Sequence, residues 1–72
     1  MSNNTETLIR MANQIGDFFN AYPEAEAVPQ IATHIRKFWD PRMRKAILAH
    51  IADHQGEGLK PHVLQALKSL PN

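Results

Sequence analysis

The sequence predicts an all-α fold, a small compact bundle of three main helices plus a shorter C-terminal fourth helix. Apolar residues recur at spacings of three and four, which places them on one face of a helix. Only three glycines occur among the 72 residues, and no stretch alternates apolar and polar residues as a half-buried strand would. We expect residues 1–72 to form one domain with its core between residues 8 and 70.

Helix 1 is predicted to begin at a capping box of Asn3 and Glu6 and to end before Pro23, because proline disfavours helical backbone in the preceding residue. Ile9 lies off its apolar stripe. Gly16 costs about 1 kcal/mol relative to alanine in a helix, so we expect another backbone to approach it closely. The apolar stripe consists of Leu8, Met11, Ala12, Ile15, Phe18, Phe19 and Tyr22.

Helix 2 is predicted to begin between Ala25 and Pro29, since proline is tolerated in a first helical turn. Asp40 and Pro41 are typical of the N-cap and first residue of a helix, so helices 2 and 3 should meet at a sharp corner. Helix 3 should end near His54-Gln55-Gly56. The inward residues of both helices are Val28, Ile31, Ala32, Ile35, Phe38, Trp39, Met43, Ile47, Leu48 and Ile51.

Helix 4 is predicted to begin at Pro61. Leu59 and Leu64 have the spacing of a hydrophobic staple across this boundary. Lys60 is a poor N-cap residue, so we expect this end to fray. Its apolar stripe consists of Val63, Leu64, Leu67 and Leu70.

The histidines do not form a recognisable catalytic or metal site in the sequence. His50 and His54 share a helix face beside Asp53, but no glutamate follows the first histidine and no third ligand completes a site. His34 and His62 have no nucleophile or carboxylate at motif spacing. The chain also has no cysteine. We therefore expect a non-catalytic protein that binds no metal and no cofactor itself.

The most distinctive stretch runs from His34 to Lys45 and contains the only tryptophan and five of the eight lysines and arginines. Three interpretations arise: solvated helix flanks with Trp39 filling the end of the bundle, a nucleic-acid site, or a protein interface. The net charge of only +1 disfavours nucleic acid. Tryptophan and arginine are enriched at interface hot spots, so the other two interpretations stay open.

The predicted interface anchors lie at the corner between helices 2 and 3. We expect Arg44, at the fourth position of helix 3, to stack across Trp39. The candidate interface residues are Arg36, Trp39, Asp40, Pro41, Arg42 and Arg44.

The N-terminus does not have the pattern of an export signal, and the longest strongly apolar run, 46–49, is far too short to cross a bilayer. We expect a cytoplasmic protein with no membrane partner.

Three groups of residues together resemble a known family. They are Met11-Ala12-Asn13-Gln14-Ile15 with Phe18-Phe19, then Phe38-Trp39-Asp40-Pro41-Arg42-Met43-Arg44, then Gly56-Glu57-Gly58-Leu59 with Pro61, Val63, Ala66 and Leu67. In this order they resemble the small delta subunit of soluble NAD-dependent formate dehydrogenases, from about Leu8 to Leu70. The run from Trp39 to Arg44 is the most specific part. Lys60 and Pro29 depart from the family pattern, and both concern helix starts.

The resemblance implies a non-catalytic accessory subunit of a complex that oxidises formate to carbon dioxide and reduces NAD. It implies that the larger subunits hold a molybdenum or tungsten guanine-dinucleotide cofactor, iron–sulfur clusters and FMN. The absence of cysteine agrees independently, because iron–sulfur clusters are held by thiolates. The implied partner is the catalytic (alpha) subunit, and through it the other subunits. The alternatives are a transient molybdenum-cofactor maturation factor and a small nucleic-acid-binding helical module.

Overall fold

Four helices follow one another along the chain in the structure, a computed structural model that describes residues 3–70, with the backbone alone for Asn3. They are α1 (Asn3–Phe18), α2 (Glu24–Phe38), α3 (Pro41–His54) and α4 (Pro61–Lys68). The predicted all-α class, with three main helices and a shorter fourth, is confirmed. No strand occurs between residues 3 and 70.

One cluster of buried apolar side chains joins the four helices. The most extensive contact between helices is that of α2 with α4. Among the described residues, no polar or charged residue is buried, and no buried side-chain nitrogen or oxygen lacks a hydrogen-bond partner. The cluster consists of Leu8, Ala12, Ala27, Ile31, Ile35, Trp39, Ile47, Val63, Ala66, Leu67 and Leu70.

The end of α1 differs from the prediction, because the helix stops at Phe18 and not just before Pro23. The following backbone forms shorter-range bonds, in which the Asn20 N–H donates to the Asp17 carbonyl (3.2 Å). Pro23 instead precedes α2 as its N-cap residue, in an extended conformation. The fixed φ of proline suits the start of a helix as well as an end, which the sequence pattern does not distinguish.

The start of α2 lies one residue before the predicted range. It begins at Glu24, so Pro29 is inside the helix and not in its first turn. Proline has no N–H, so the carbonyl of Ala25 loses its usual helical donor. The predicted capping box of α1 depends on the side chain of Asn3 and lies outside the described side chains.

Three aromatic residues predicted to face the core are exposed. The exposed fractions are 77% for Phe18, 46% for Tyr22 and 70% for Phe38. Phe18 is the last residue of α1, which ends sooner than predicted, and Tyr22 lies beyond it. Phe38 lies about 60° around α2 from buried Ile35. Conversely, Ile9 packs against the core, so its predicted place off the stripe is wrong.

Gly16 is buried where α1 meets α4. A Cβ at this position would collide with Cγ2 of Val63 and would lie 3.1 Å from Nε2 of His62. The expected close approach is therefore present, but side chains of α4 make it rather than another backbone.

The start of α4 is held by α1. The N-cap residue Lys60 makes no side-chain cap hydrogen bond, but its backbone N–H donates to Oδ1 of Asn13 (3.0 Å), and Nδ2 of Asn13 donates to the Gly58 carbonyl (2.9 Å). The Lys60 ammonium also pairs with the Asp17 carboxylate, although both side chains are largely exposed and the pair adds little stability. The structure thus fixes an end that was expected to fray.

Candidate partner-docking site

The corner between α2 and α3 has the predicted caps. Oδ1 of Asp40 accepts a hydrogen bond from the Met43 N–H (3.0 Å), and Pro41 is the first residue of α3. Only Trp39 and Asp40 separate the two helices, and both have extended backbone conformations. The corner is short and its direction is set by local hydrogen bonding.

Trp39 lies in the core at this corner. Its side chain is 5% exposed and belongs to the buried cluster. Of the roles considered for this residue, the structure places it where it fills the end of the bundle. It supports the corner from inside and presents almost no surface to a partner.

Arg44 caps α2. Its Nη1 donates to the carbonyl oxygens of Arg36 and Trp39, both at 2.9 Å. These carbonyls lie at the end of α2, where no further helical N–H can reach them. The guanidinium is therefore used across the corner, and not in the predicted stack on the Trp39 ring.

A groove of about 680 Å³ opens beside the corner. Both cationic and apolar side chains line it. We call this surface the basic groove; we call its cationic lining residues, Arg36, Arg44 and Lys45, the rim, and its apolar lining residues, Pro41, Leu48, Ala49 and Leu70, the floor.

Three of the six predicted interface residues, Arg36, Pro41 and Arg44, line the basic groove. Asp40 and Arg42 are exposed nearby in the chain but do not line it.

The sequence analysis missed the remaining groove residues. Lys45, Leu48 and Ala49 follow Pro41 at helical spacings of four, seven and eight, which is a pattern that the sequence does contain. Leu70 comes from the end of the chain and has no local indication of its place in the groove.

Three of the histidines contact backbone carbonyls or an aromatic ring. Nε2 of His50 lies 2.7 Å from the Glu57 carbonyl oxygen, and Nε2 of His62 lies 3.3 Å from that of Gly16. The ring of His34 lies 4.7 Å from that of Phe38, centre to centre. Among residues 3–70, no three histidine, aspartate or glutamate side chains gather into a group that could hold a metal ion.

A profile of the NADH-dependent formate dehydrogenase delta subunit family, FdsD, matches residues 7–67. The chain belongs to this family. The match includes the corner and nearly all of the four helices, which confirms the resemblance found in the sequence. As a delta subunit the chain is part of a formate dehydrogenase complex, whose other subunits are its partners. No curated protein and no solved structure matches the chain.

No helix in the described part of the delta subunit combines the length and the apolar character needed to cross a bilayer.

Proposed function

We propose that this chain is a non-catalytic accessory subunit that docks on the catalytic (alpha) subunit of formate dehydrogenase and stabilises or helps to assemble the holoenzyme. The observation that carries the proposal is the family match over residues 7–67. The basic groove at the corner supplies a surface with the chemistry that such docking needs.

The composition of the basic groove favours a protein partner. The cores of protein interfaces are apolar, and arginine is enriched in them. A floor made of Leu48, Ala49 and Leu70 offers nothing to a phosphate backbone but can bury an apolar side chain. The cations on the rim can then pair with carboxylates at the edge of the same contact.

The corner is organised before any partner binds. The cap from Asp40 and the two bonds from Arg44 fix the direction of α3, and buried Trp39 supports them from the core. A surface that is already ordered loses less conformational entropy on association. We propose that these three residues position the basic groove, while Arg36 and exposed Arg42 contact the partner directly.

We propose that the molybdenum or tungsten guanine-dinucleotide cofactor, the iron–sulfur clusters and FMN are carried by the larger subunits. The absence of cysteine from this chain supports that division, since it has no thiolate for a cluster. A cytoplasmic location stays a prediction.

A transient maturation factor is the alternative suggested by the cationic rim. Arg36, Arg44 and Lys45 could pair with the phosphates of the guanine-dinucleotide cofactor. The apolar floor gives such a ligand no polar partner, so we prefer protein docking. A stoichiometric amount of this chain in the purified active complex would contradict a purely transient role.

The experiment that tests the proposal reverses two charges on the rim of the basic groove. Arg36→Glu with Lys45→Glu should reduce co-purification with a tagged catalytic subunit by about tenfold or more, because carboxylates of the partner would then meet like charge. The rate of formate-dependent NAD reduction in the purified complex should fall in proportion to the fraction of holoenzyme that fails to assemble or dissociates.

The matched control is Arg10→Glu with Lys68→Glu. Both residues are exposed, the net charge changes equally, and Lys68, like Arg36, lies in the last turn of a helix. The control should co-purify as the unaltered chain does. If both variants co-purify at the unaltered stoichiometry, the basic groove is not the docking site.

A further inference from the structure

Five aromatic rings form a continuous surface where the end of α1 meets α2. The ring of Phe18 lies edge-on to that of Phe19, with centres 5.0 Å apart, and Phe19 lies 6.2 Å from Tyr22. The ring of His34 lies 6.2 Å from Phe19 and 4.7 Å from Phe38, which completes the series. We call these five residues the aromatic face.

Much of the aromatic face is open to solvent. Phe18, Tyr22 and Phe38 are 77%, 46% and 70% exposed. Aromatic side chains present roughly 150–250 Å² each, so these three expose roughly 300–480 Å² together. Continuous apolar patches of that size on a small protein are commonly binding surfaces.

The aromatic face and the basic groove lie on opposite flanks of α2. Successive residues are about 100° apart around a helix, so Arg36 lies about 160° from both His34 and Phe38. Ile35, which points into the core, lies between them. One partner surface that covers the basic groove therefore leaves the aromatic face uncovered.

We propose that the aromatic face is a second docking surface, which takes an uncharged apolar surface of a larger subunit of the formate dehydrogenase complex. The inference rests on the family membership, which makes other subunits the partners of this chain, and not on the role of the basic groove.

The exposed area argues for a larger subunit over a second copy of this chain. A specific interface of standard size buries about 800 Å² on each partner, and the exposed rings supply about half of that. Two copies meeting through this patch alone would be held weakly. A larger subunit that is already held in the complex needs only a supplementary contact, because tethering raises the effective concentration of the second site.

The side chains of the aromatic face set the chemistry of the partner. Phe18 and Phe38 have no polar side-chain atom, so a carboxylate placed against them would lose its hydration without gaining a partner. Contacts among the rings limit the rotamers of each one, which lowers the entropy lost on binding. An apolar, uncharged surface is the one that gains from this contact.

A competition experiment in the assembled complex tests the proposal. The tagged catalytic subunit is co-expressed with the other large subunits and with equal amounts of unaltered chain and Phe18→Ser/Phe38→Ser variant. Mass spectrometry of the purified complex gives the ratio retained. We expect the variant to be depleted about 30-fold or more, as for loss of buried aromatic anchors. Depletion below fivefold overturns the proposal, and a larger depletion of a variant that keeps the helicity of the unaltered chain by far-UV circular dichroism supports it.

Two further variants isolate the cause. Gln14→Ser with Gln65→Ser replaces two other exposed helical residues by serine and should compete equally with the unaltered chain. Arg36→Glu with Lys45→Glu, in the same competition, tests the basic groove. If only the phenylalanine variant is depleted from the complex, the aromatic face is supported as a docking surface and the basic groove is refuted. If only the charge variant is depleted, the basic groove is supported and the aromatic face is refuted.

Photo-crosslinking covers the case in which the phenylalanine variant does not fold. A benzoylphenylalanine at position 38 keeps an aromatic side chain at an exposed site and should crosslink to a larger subunit in the purified complex. The same group at position 65 is the control and should not. Crosslinks between two copies of this chain, or none at all from position 38, overturn the proposal.

Discussion

Replacing Gly16 by alanine should destabilise the fold even though alanine is the better helix former. The gain in helix propensity is about 1 kcal/mol. The new methyl group would collide with Cγ2 of Val63, which is fully buried and β-branched, so its χ1 is restricted. Overpacking costs about 1–3 kcal/mol, and because this contact is closer than real Cβ atoms show, the upper part of that range, about 2–3 kcal/mol, applies. We expect a net loss of about 1–2 kcal/mol in the free energy of unfolding, measured by urea denaturation with far-UV circular dichroism.

A double-mutant cycle with Val63→Ala separates the collision from other causes. Val63→Ala alone removes two methyl groups from the core and should cost about 1.5–3 kcal/mol. In the Val63→Ala variant, the methyl group of Gly16→Ala enters the vacated space. Gly16→Ala should therefore be neutral or stabilising in that variant. The coupling should exceed about 1 kcal/mol.

The control pairs Gly16→Ala with Ile47→Val, a buried change on α3. The Ile47 side chain is not among the nearest atoms to a Cβ at Gly16. The changes in unfolding free energy caused by Gly16→Ala and Ile47→Val should therefore add within about 0.5 kcal/mol. A Gly16→Ala chain as stable as the unaltered one, or additive behaviour with Val63→Ala, would refute the reasoning.

Three other changes test the corner and the start of α4 by the same unfolding measurement. Asp40→Ala removes the cap on the Met43 N–H and should cost about 1 kcal/mol, whereas Asp53→Ala, an exposed aspartate within α3, should change little. Trp39→Ala should cost about 3–5 kcal/mol, enough to unfold much of so small a domain, and native helicity in this variant would contradict its place in the core. Asn13→Ala removes both of its bonds to the segment before α4 and should cost about 1–2 kcal/mol; an unchanged midpoint would show that these bonds do not hold α4.

Helix starts could be predicted where the signal is local. The cap from Asp40 and the prolines at the starts of α3 and α4 act within one helical turn, so the residues themselves contain the information. Pro23 shows the limit of this approach. It marks a boundary correctly, but whether it ends one helix or precedes the next depends on where α1 stops, which is decided by packing.

The candidate site could be predicted only in part for the same reason. The aromatic stripe residues Phe18 and Phe38 have helical spacing, but their exposure depends on how far the neighbouring helix extends. The choice between core and interface for Trp39 likewise required the arrangement of the helices. Leu70 reaches the basic groove from the far end of the chain, a placement that no local pattern encodes.

The bonds from Asn13 to the segment before α4 have a consequence for the order of folding during synthesis. The two ends of these bonds are 45 and 47 residues apart, and α4, with eight residues, is too short to be stable alone. A ribosome releases α1 first, but the side chains that cover Gly16 come from α4. The part of α1 around Gly16 therefore stays uncovered until nearly all of the 3–70 region has emerged. During that interval the nascent chain exposes the part of its core face that α4 later covers.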